Sequence, residues 1–244
     1  MYGKGLRSLS IATAATMATA LALVFFYAPL DADQGFVQKI FYLHVPLAIT
    51  ALVGFMVAAG FAIAHLRSGE SRWDAYSYVS IHMSVIFGAA VLVTGSIWAK
   101  ASWGSWWVWD EPTLVSFLIV FLLYACYQPL RFSIEDPEKQ ARYASVFAIT
   151  AGAFVPLNFI AVRLAQAVVH PRVFATADGG LPAKMQLAFT VCLVGMALLY
   201  VTLWRYEMAA KQASWSLRSL KRRLGGDEAI AARGRSAAPS LPVT

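Results

Sequence analysis

Six stretches of the chain, residues 9–30, 40–64, 75–99, 113–130, 143–162 and 185–204, contain no Asp, Glu, Lys or Arg. A helix needs about 20 mostly apolar residues to cross the hydrocarbon of a bilayer. Composition agrees with that reading: 59% of the residues are hydrophobic and 14% charged, against roughly 25% charged in a soluble domain. The sequence therefore predicts an all-α polytopic membrane protein with six transmembrane helices over residues 1–206, with no room for a separate soluble domain. Residues 207–244 are expected to form a basic, disordered tail. Lys4 and Arg7 stand where a signal peptide carries its positive charges. The apolar run behind them is too long for a signal core and lacks a small-x-small cleavage site, so the first helix is expected to be retained.

Orientation follows from counting Lys and Arg between the spans. One side holds fifteen, eight of them from Arg205 onwards, and the other holds five: Lys39, Lys100, Arg163, Arg172 and Lys184. Both termini are therefore expected in the cytoplasm, and the segment 98–111 on the outer face. The net charge of +7 is concentrated in the tail, where contact with anionic lipid headgroups accounts for it without any nucleic acid. Cys126 and Cys192 each stand alone in a span. Without a CxxC or a CxxCH the chain is neither a thiol–disulfide carrier nor a site of covalent c-type haem attachment.

Polar groups inside a membrane domain are costly and therefore informative. His44 in "KIFYLHVPLA" and His170 in "AVVHPRVF" fall at the outer side, His65 and His82 at the inner side. Twenty-one residues separate His44 from His65, about 30 Å along a helix, so these are two pairs on opposite faces. A pair of neutral imidazoles is too few for a typical zinc site, but it suits haem iron, which takes only two axial ligands beyond its porphyrin nitrogens.

The stretch "WGSWWVWD" (103–110), with Trp98, places Trp98, Trp103, Trp106, Trp107 and Trp109 within twelve residues. Interfacial aromatic belts use tryptophan too, and the residues alone leave belt and ligand platform both open. On helical spacing the five rings would point to several sides of one segment. "DEPTL" reads as the start of the fourth helix, with Asp110 or Glu111 as its N-cap and Pro112 in the first turn. Arg163 and Arg172 are cations on the correct side for acidic groups of a ligand.

These residues carry a resemblance. "WGSWWVWD" resembles the signature of the tryptophan-rich haem-handling membrane proteins of cytochrome c maturation, and the length and layout are similar to the haem exporter protein C (CcmC) family. "IFYLHVP" (40–46) and "HP" (170–171) resemble the surroundings of that family's two outer histidines. The likeness runs from about residue 36 to residue 206. It departs after "WWVWD", where the family continues with a small residue or proline and then Arg-Leu-Thr, while this chain has Glu111, Pro112 and Thr113. It departs again before His170, where paired tryptophans give way to "RLAQAVVH".

The resemblance implies a protein of the bacterial inner membrane with its tryptophan segment facing the periplasm. It implies transferable, non-covalent haem b, with His44 and His170 as axial ligands and the five tryptophans as its platform. Asp110 would lie beside the ligand, and Arg163 and Arg172 would meet the propionates. The implied partners are the haem chaperone CcmE, the small membrane protein CcmD and the ATPase pair CcmA and CcmB. The implied work is presentation and transfer of haem rather than conventional catalysis. Two other readings are weighed. A transmembrane electron carrier would hold a second haem between His65 and His82, although His65 ends its span beside Arg67 and no tryptophans lie on that side. A small-molecule transporter would have broken helices, for which Pro156 and Asn158 are the only hint.

Overall fold

The computed structural model describes residues 5–164, 169–170 and 180–236. Among these the secondary structure is helical: α1 (Leu6–Ala22), α2 (Phe41–Ser68), α3 (Ser71–Trp103), α4 (Pro112–Ala125), α5 (Tyr127–Phe132), α6 (Pro137–Leu164) and α7 (Ala183–Ser236). A π-helical turn, Leu23–Tyr27, extends α1, and a 3-10 turn, Phe36–Ile40, leads into α2. Six helical stretches are long and apolar enough to cross a membrane, α4 and α5 together making the fourth. Such helices satisfy their backbone groups internally, as lipid demands.

Three helices, α3, α6 and α7, overrun their charge-free runs at both ends into polar flanks. Gly69 ends α2 with φ 70°, its N–H donating to His65 O at 2.8 Å. That left-handed conformation suits glycine, and α3 begins two residues later. The two helices form a long hairpin at the centre of the bundle. Leu47, Ala51, Phe55 and Ala58 of α2 share a core with Ile81, Phe87 and Val91 of α3, Phe117 and Val120 of α4, and Ala148 and Val155 of α6. Small residues permit the close approach. A Cβ on Gly54 would collide with Ser84 and Tyr200, and one on Gly152 would stand 2.5 Å from Ala59 Cβ. The Tyr124 hydroxyl donates its single hydrogen to the carbonyl of Phe55 (3.2 Å) or of Ala148 (3.1 Å), tying α4 to α2 and α6.

Away from the tryptophan segment, the bundle is closed by a bidentate ion pair. Arg131 donates to both carboxylate oxygens of Asp74 at 2.6 Å and to the Tyr127 hydroxyl at 3.0 Å.

Two sequence expectations change. The tryptophan segment is not helical beyond Trp103: α3 stops there, Gly104 takes φ 78°, and α4 starts only at Pro112. The run after residue 206, expected to be disordered, continues α7 to Ser236. Its Ala, Lys, Arg and Leu content favours helix, no proline interrupts it, and Glu207 pairs with Lys211 one turn on at 3.2 Å.

Candidate functional site

A mostly apolar cavity of about 340 Å³ lies between α2, α3, α4 and α6, walled on one side by the α3–α4 segment. His44 and His170, 126 positions apart, both line it, together with Trp98, Trp103, Trp107 and Arg163. Its size falls within the range of small-molecule clefts, about 300–1,000 Å³.

His44 stands in the first turn of α2, half-buried. Its Nδ1 lies 3.0 Å from the Thr94 hydroxyl oxygen. That hydroxyl donates its single hydrogen within α3, to Ala90 O at 2.7 Å or Val91 O at 3.2 Å. It therefore serves His44 as an acceptor, and the imidazole carries its proton on Nδ1. Nε2 is left with its lone pair, the state a metal ligand needs. Gly95 makes room for this ring: a Cβ there would stand 2.9 Å from His44 Cε1. Trp98 meets His44 edge-on, with ring centroids 5.7 Å apart. The indole N–H of Trp98 donates to Gln34 Oε1 at 2.8 Å, which fixes the ring at the cavity wall.

The other wall comes from the last residue of α3, Trp103, and from the segments around Glu111 and His170. Trp103 meets the His170 ring edge-on at 6.2 Å. Glu111 is the N-cap of α4, with Pro112 at the first helical position. It is fully buried. One carboxylate oxygen accepts from Thr113 N at 3.2 Å, and the other from Val169 N at 2.9 Å and His170 N at 3.1 Å. Burial pushes its pKa up, but the N–H groups of Val169, His170 and Thr113 outweigh that and hold the carboxyl down at about 2. It is ionised at physiological pH.

The remaining predicted residues fall elsewhere. Trp106 and Trp109 do not line the cavity and are 59% and 72% exposed. Asp110 is exposed, and the capping role expected of Asp110 or Glu111 belongs to Glu111. Because the chain leaves the helix after Trp103, helical spacing does not govern where the later rings point, and of Trp106, Trp107 and Trp109 only Trp107 turns inward. Arg172 lies outside the described residues. Lys39 is buried and donates to Ala28 O at 2.6 Å, and Lys100 caps α3 through Gly104 O at 2.7 Å. Among the described outer cations Arg163 alone lines the cavity. His65 bonds to Glu70 O at 3.1 Å and His82 to Gln128 at 2.7 Å, each engaged apart from the other.

Thr94, Gly95, Gln34 and Glu111 escaped the sequence reading as ligand-shaping residues. A hydroxyl and a glycine one turn before Trp98 are the only signal for the first two. Two polar atoms of cavity-lining residues, Trp107 Nε1 and Asn158 Oδ1, are buried without a hydrogen-bond partner among the described residues. Such atoms are costly unless a polar group of a ligand or water meets them. Flat aromatic walls, two imidazoles, one cation and unmatched polar atoms together fit a planar, metal-bearing, acidic ligand such as haem.

Comparison with known proteins places the chain in context. The sequence profile of CcmC, heme exporter protein C, matches residues 1–223. The chain is similar to the Heme exporter protein C of Rhodobacter capsulatus, 35% identical over 150 residues, 60% of each chain. It is 30% identical to that of Paracoccus denitrificans over 161 residues, 66% of each, and 30% identical to that of Haemophilus influenzae over 186 residues, 75% of each. The matched region thus spans just under two thirds of the Rhodobacter and Paracoccus proteins.

Proposed function

The chain belongs to the heme exporter protein C family, CcmC, and on that premise we propose that it takes part in haem export for cytochrome c maturation by holding haem b non-covalently between His44 and His170. The observation that carries this reading is the meeting of two imidazoles, distant in sequence, on one tryptophan-walled cavity. In this reading the cavity faces the periplasm from the bacterial inner membrane, and the bound haem is presented to the chaperone CcmE. CcmD and the CcmA/CcmB ATPase act on the loaded complex. The lysine and arginine asymmetry supports that orientation, with both termini in the cytoplasm.

The residues divide the work. Haem supplies an iron with two axial positions open. His44, held as the Nδ1–H tautomer by Thr94, offers Nε2 to one of them, and His170 serves the other. Trp98, Trp103 and Trp107 cover macrocycle surface and keep water from it. Arg163 is placed for a propionate, and Trp107 Nε1 supplies a further donor. No cysteine thioether holds the ligand, so it stays transferable. Trp106 and Trp109, projecting outward, offer an aromatic surface for the periplasmic partner.

Co-expression with tagged CcmE tests this. The measured quantity is haem that remains on the chaperone after denaturation. Wild type is expected to load the chaperone and His44→Ala to fail. Equal loading with and without this chain refutes the reading. The purified chain is expected to hold one haem, whereas two per chain would favour the electron carrier.

A further inference from the structure

We propose that Glu111 is the positioning residue for His170: its buried carboxylate pins the loop backbone from which that imidazole projects and so sets the second axial ligand in place. The inference rests on His44 and His170 being the haem ligands.

His44 needs no such device, because its helix is packed along its length against α3. Val169 and His170 lie at a bend between α6 and α7, outside any helix. Two consecutive N–H groups, those of Val169 and His170, point at the same oxygen of Glu111 at 2.9 and 3.1 Å. Together they fix the peptide planes on either side of Val169 Cα and lead directly into the His170 Cα. The second oxygen of the same carboxylate caps α4 at Thr113 N. One side chain therefore joins the start of α4, the end of the tryptophan segment and the backbone of the second imidazole.

The charge matters to this arrangement. A buried carboxylate must be matched by donors, and here the N–H groups it holds in place are among them, charge-assisted bonds stronger than neutral ones. Metal–ligand distances tolerate only about 0.2 Å, so a loop released from its anchor loses ligation before it loses structure. Glutamine at 111 keeps the size and one acceptor but turns an NH₂ donor toward one set of N–H groups. Alanine removes both acceptors.

The experiment adds haemin to the full chain in nanodiscs and reads affinity and iron spin state for wild type, Glu111→Gln, Glu111→Ala, His44→Ala and His170→Ala. Wild type is expected to give six-coordinate low-spin haem. Glu111→Ala is expected to bind on the order of tenfold more weakly and to show five-coordinate high-spin haem, as His170→Ala does, with Glu111→Gln between them. Added imidazole should restore the low-spin spectrum in Glu111→Ala and His170→Ala. A residue that merely caps α4 would lower thermal stability and leave the spin state untouched, so a wild-type spectrum in Glu111→Ala overturns the proposal. Should His44→Ala and His170→Ala keep the wild-type spectrum, the haem-site reading itself fails, a separate result. Hydrogen exchange on wild type decides the matter even if Glu111→Ala does not fold. The Val169 and His170 amides are expected to be protected, and exchange at the rate of free amides overturns the anchor.

Discussion

Gly95→Ala separates the fold from the ligand site more sharply than removal of a ligand does. Gly95 lies inside α3, and its added Cβ would stand 2.9 Å from His44 Cε1, 3.6 Å from Nδ1 and 3.7 Å from Nε2. Ordinary carbon contact begins near 3.5 Å, so the imidazole must retreat by about 0.6 Å. That movement is several times the tolerance of about 0.2 Å for a metal–ligand bond, and it also stretches the 3.0 Å bond to Thr94 that sets the tautomer. Disturbing the group that orients a metal-binding imidazole costs about 10–100-fold in affinity, or about 1.4–2.7 kcal/mol. The helix responds in the opposite sense, because alanine replaces glycine in a helix interior with a gain of up to about 1 kcal/mol. Haem affinity should therefore fall while the thermal midpoint of the haem-free protein stays level or rises. Gly60→Ala is the control, since nothing lies within 4 Å of its added Cβ. The assay is haemin titration followed at the Soret band, with thermal unfolding of the same preparations. Wild-type affinity and spectrum in Gly95→Ala would refute the placement of His44 as a ligand against α3.

Thr94→Val keeps the shape of the residue but removes the acceptor for His44 Nδ1–H. Titration should show haem affinity lowered about 10–100-fold, with Thr94→Ser close to wild type. Trp106→Ala combined with Trp109→Ala should leave haem affinity within about twofold, because neither ring lines the cavity, while haem loaded onto the chaperone falls. Loss of binding instead would place these rings in the site. Asp74→Ala strands the buried Arg131 guanidinium and should cost about 3 kcal/mol of stability, the lower end for a broken buried pair, since Tyr127 and the face of Tyr78 still hold it. The haem spectrum of that variant should not change.

The architecture was legible because lipid makes the rules strict. An apolar run of 18 or more residues has few alternatives to a helix, and six such runs fixed the span count. Boundaries were less legible, because charge-free runs report what lies in hydrocarbon and not where hydrogen bonding stops. Thus α3 reaches four residues on either side of the run 75–99. The tryptophan segment misled for a local reason: helical spacing was applied across Gly104, whose φ of 78° ends the helix and breaks the periodicity. His44, His170, Trp98, Trp103 and Trp107 stood out as rare residue types, and the fold brings them to one cavity. Thr94, Gly95 and Glu111 did not. A threonine and a glycine in an apolar helix usually serve packing, and a glutamate before proline usually serves only its helix. Their second roles depend on partners 50 or more positions away, which no local pattern reveals.

The two imidazoles are held by unequal means, and this inequality can be measured. Moving the His44 backbone requires shifting α2 against α3, a contact that includes Leu47, Ala51 and Phe55 among buried side chains. Each buried apolar side chain represents about 1.5–3 kcal/mol, so the wall carrying His44 does not open readily. Moving the His170 backbone requires releasing at least the N–H bonds that Val169 and His170 donate to Glu111, each about 1.5–3 kcal/mol as a bond to a charged group. A transferable ligand must lose its axial bonds one at a time, and the side with the smaller restoring force yields first. His170→Ala should accordingly retain more haem than His44→Ala under identical washing, because it mimics a state the protein passes through. Haem remaining per chain, measured by pyridine haemochrome, tests this, and equal or reversed retention would show that the packed helix is not the firmer of the two holds.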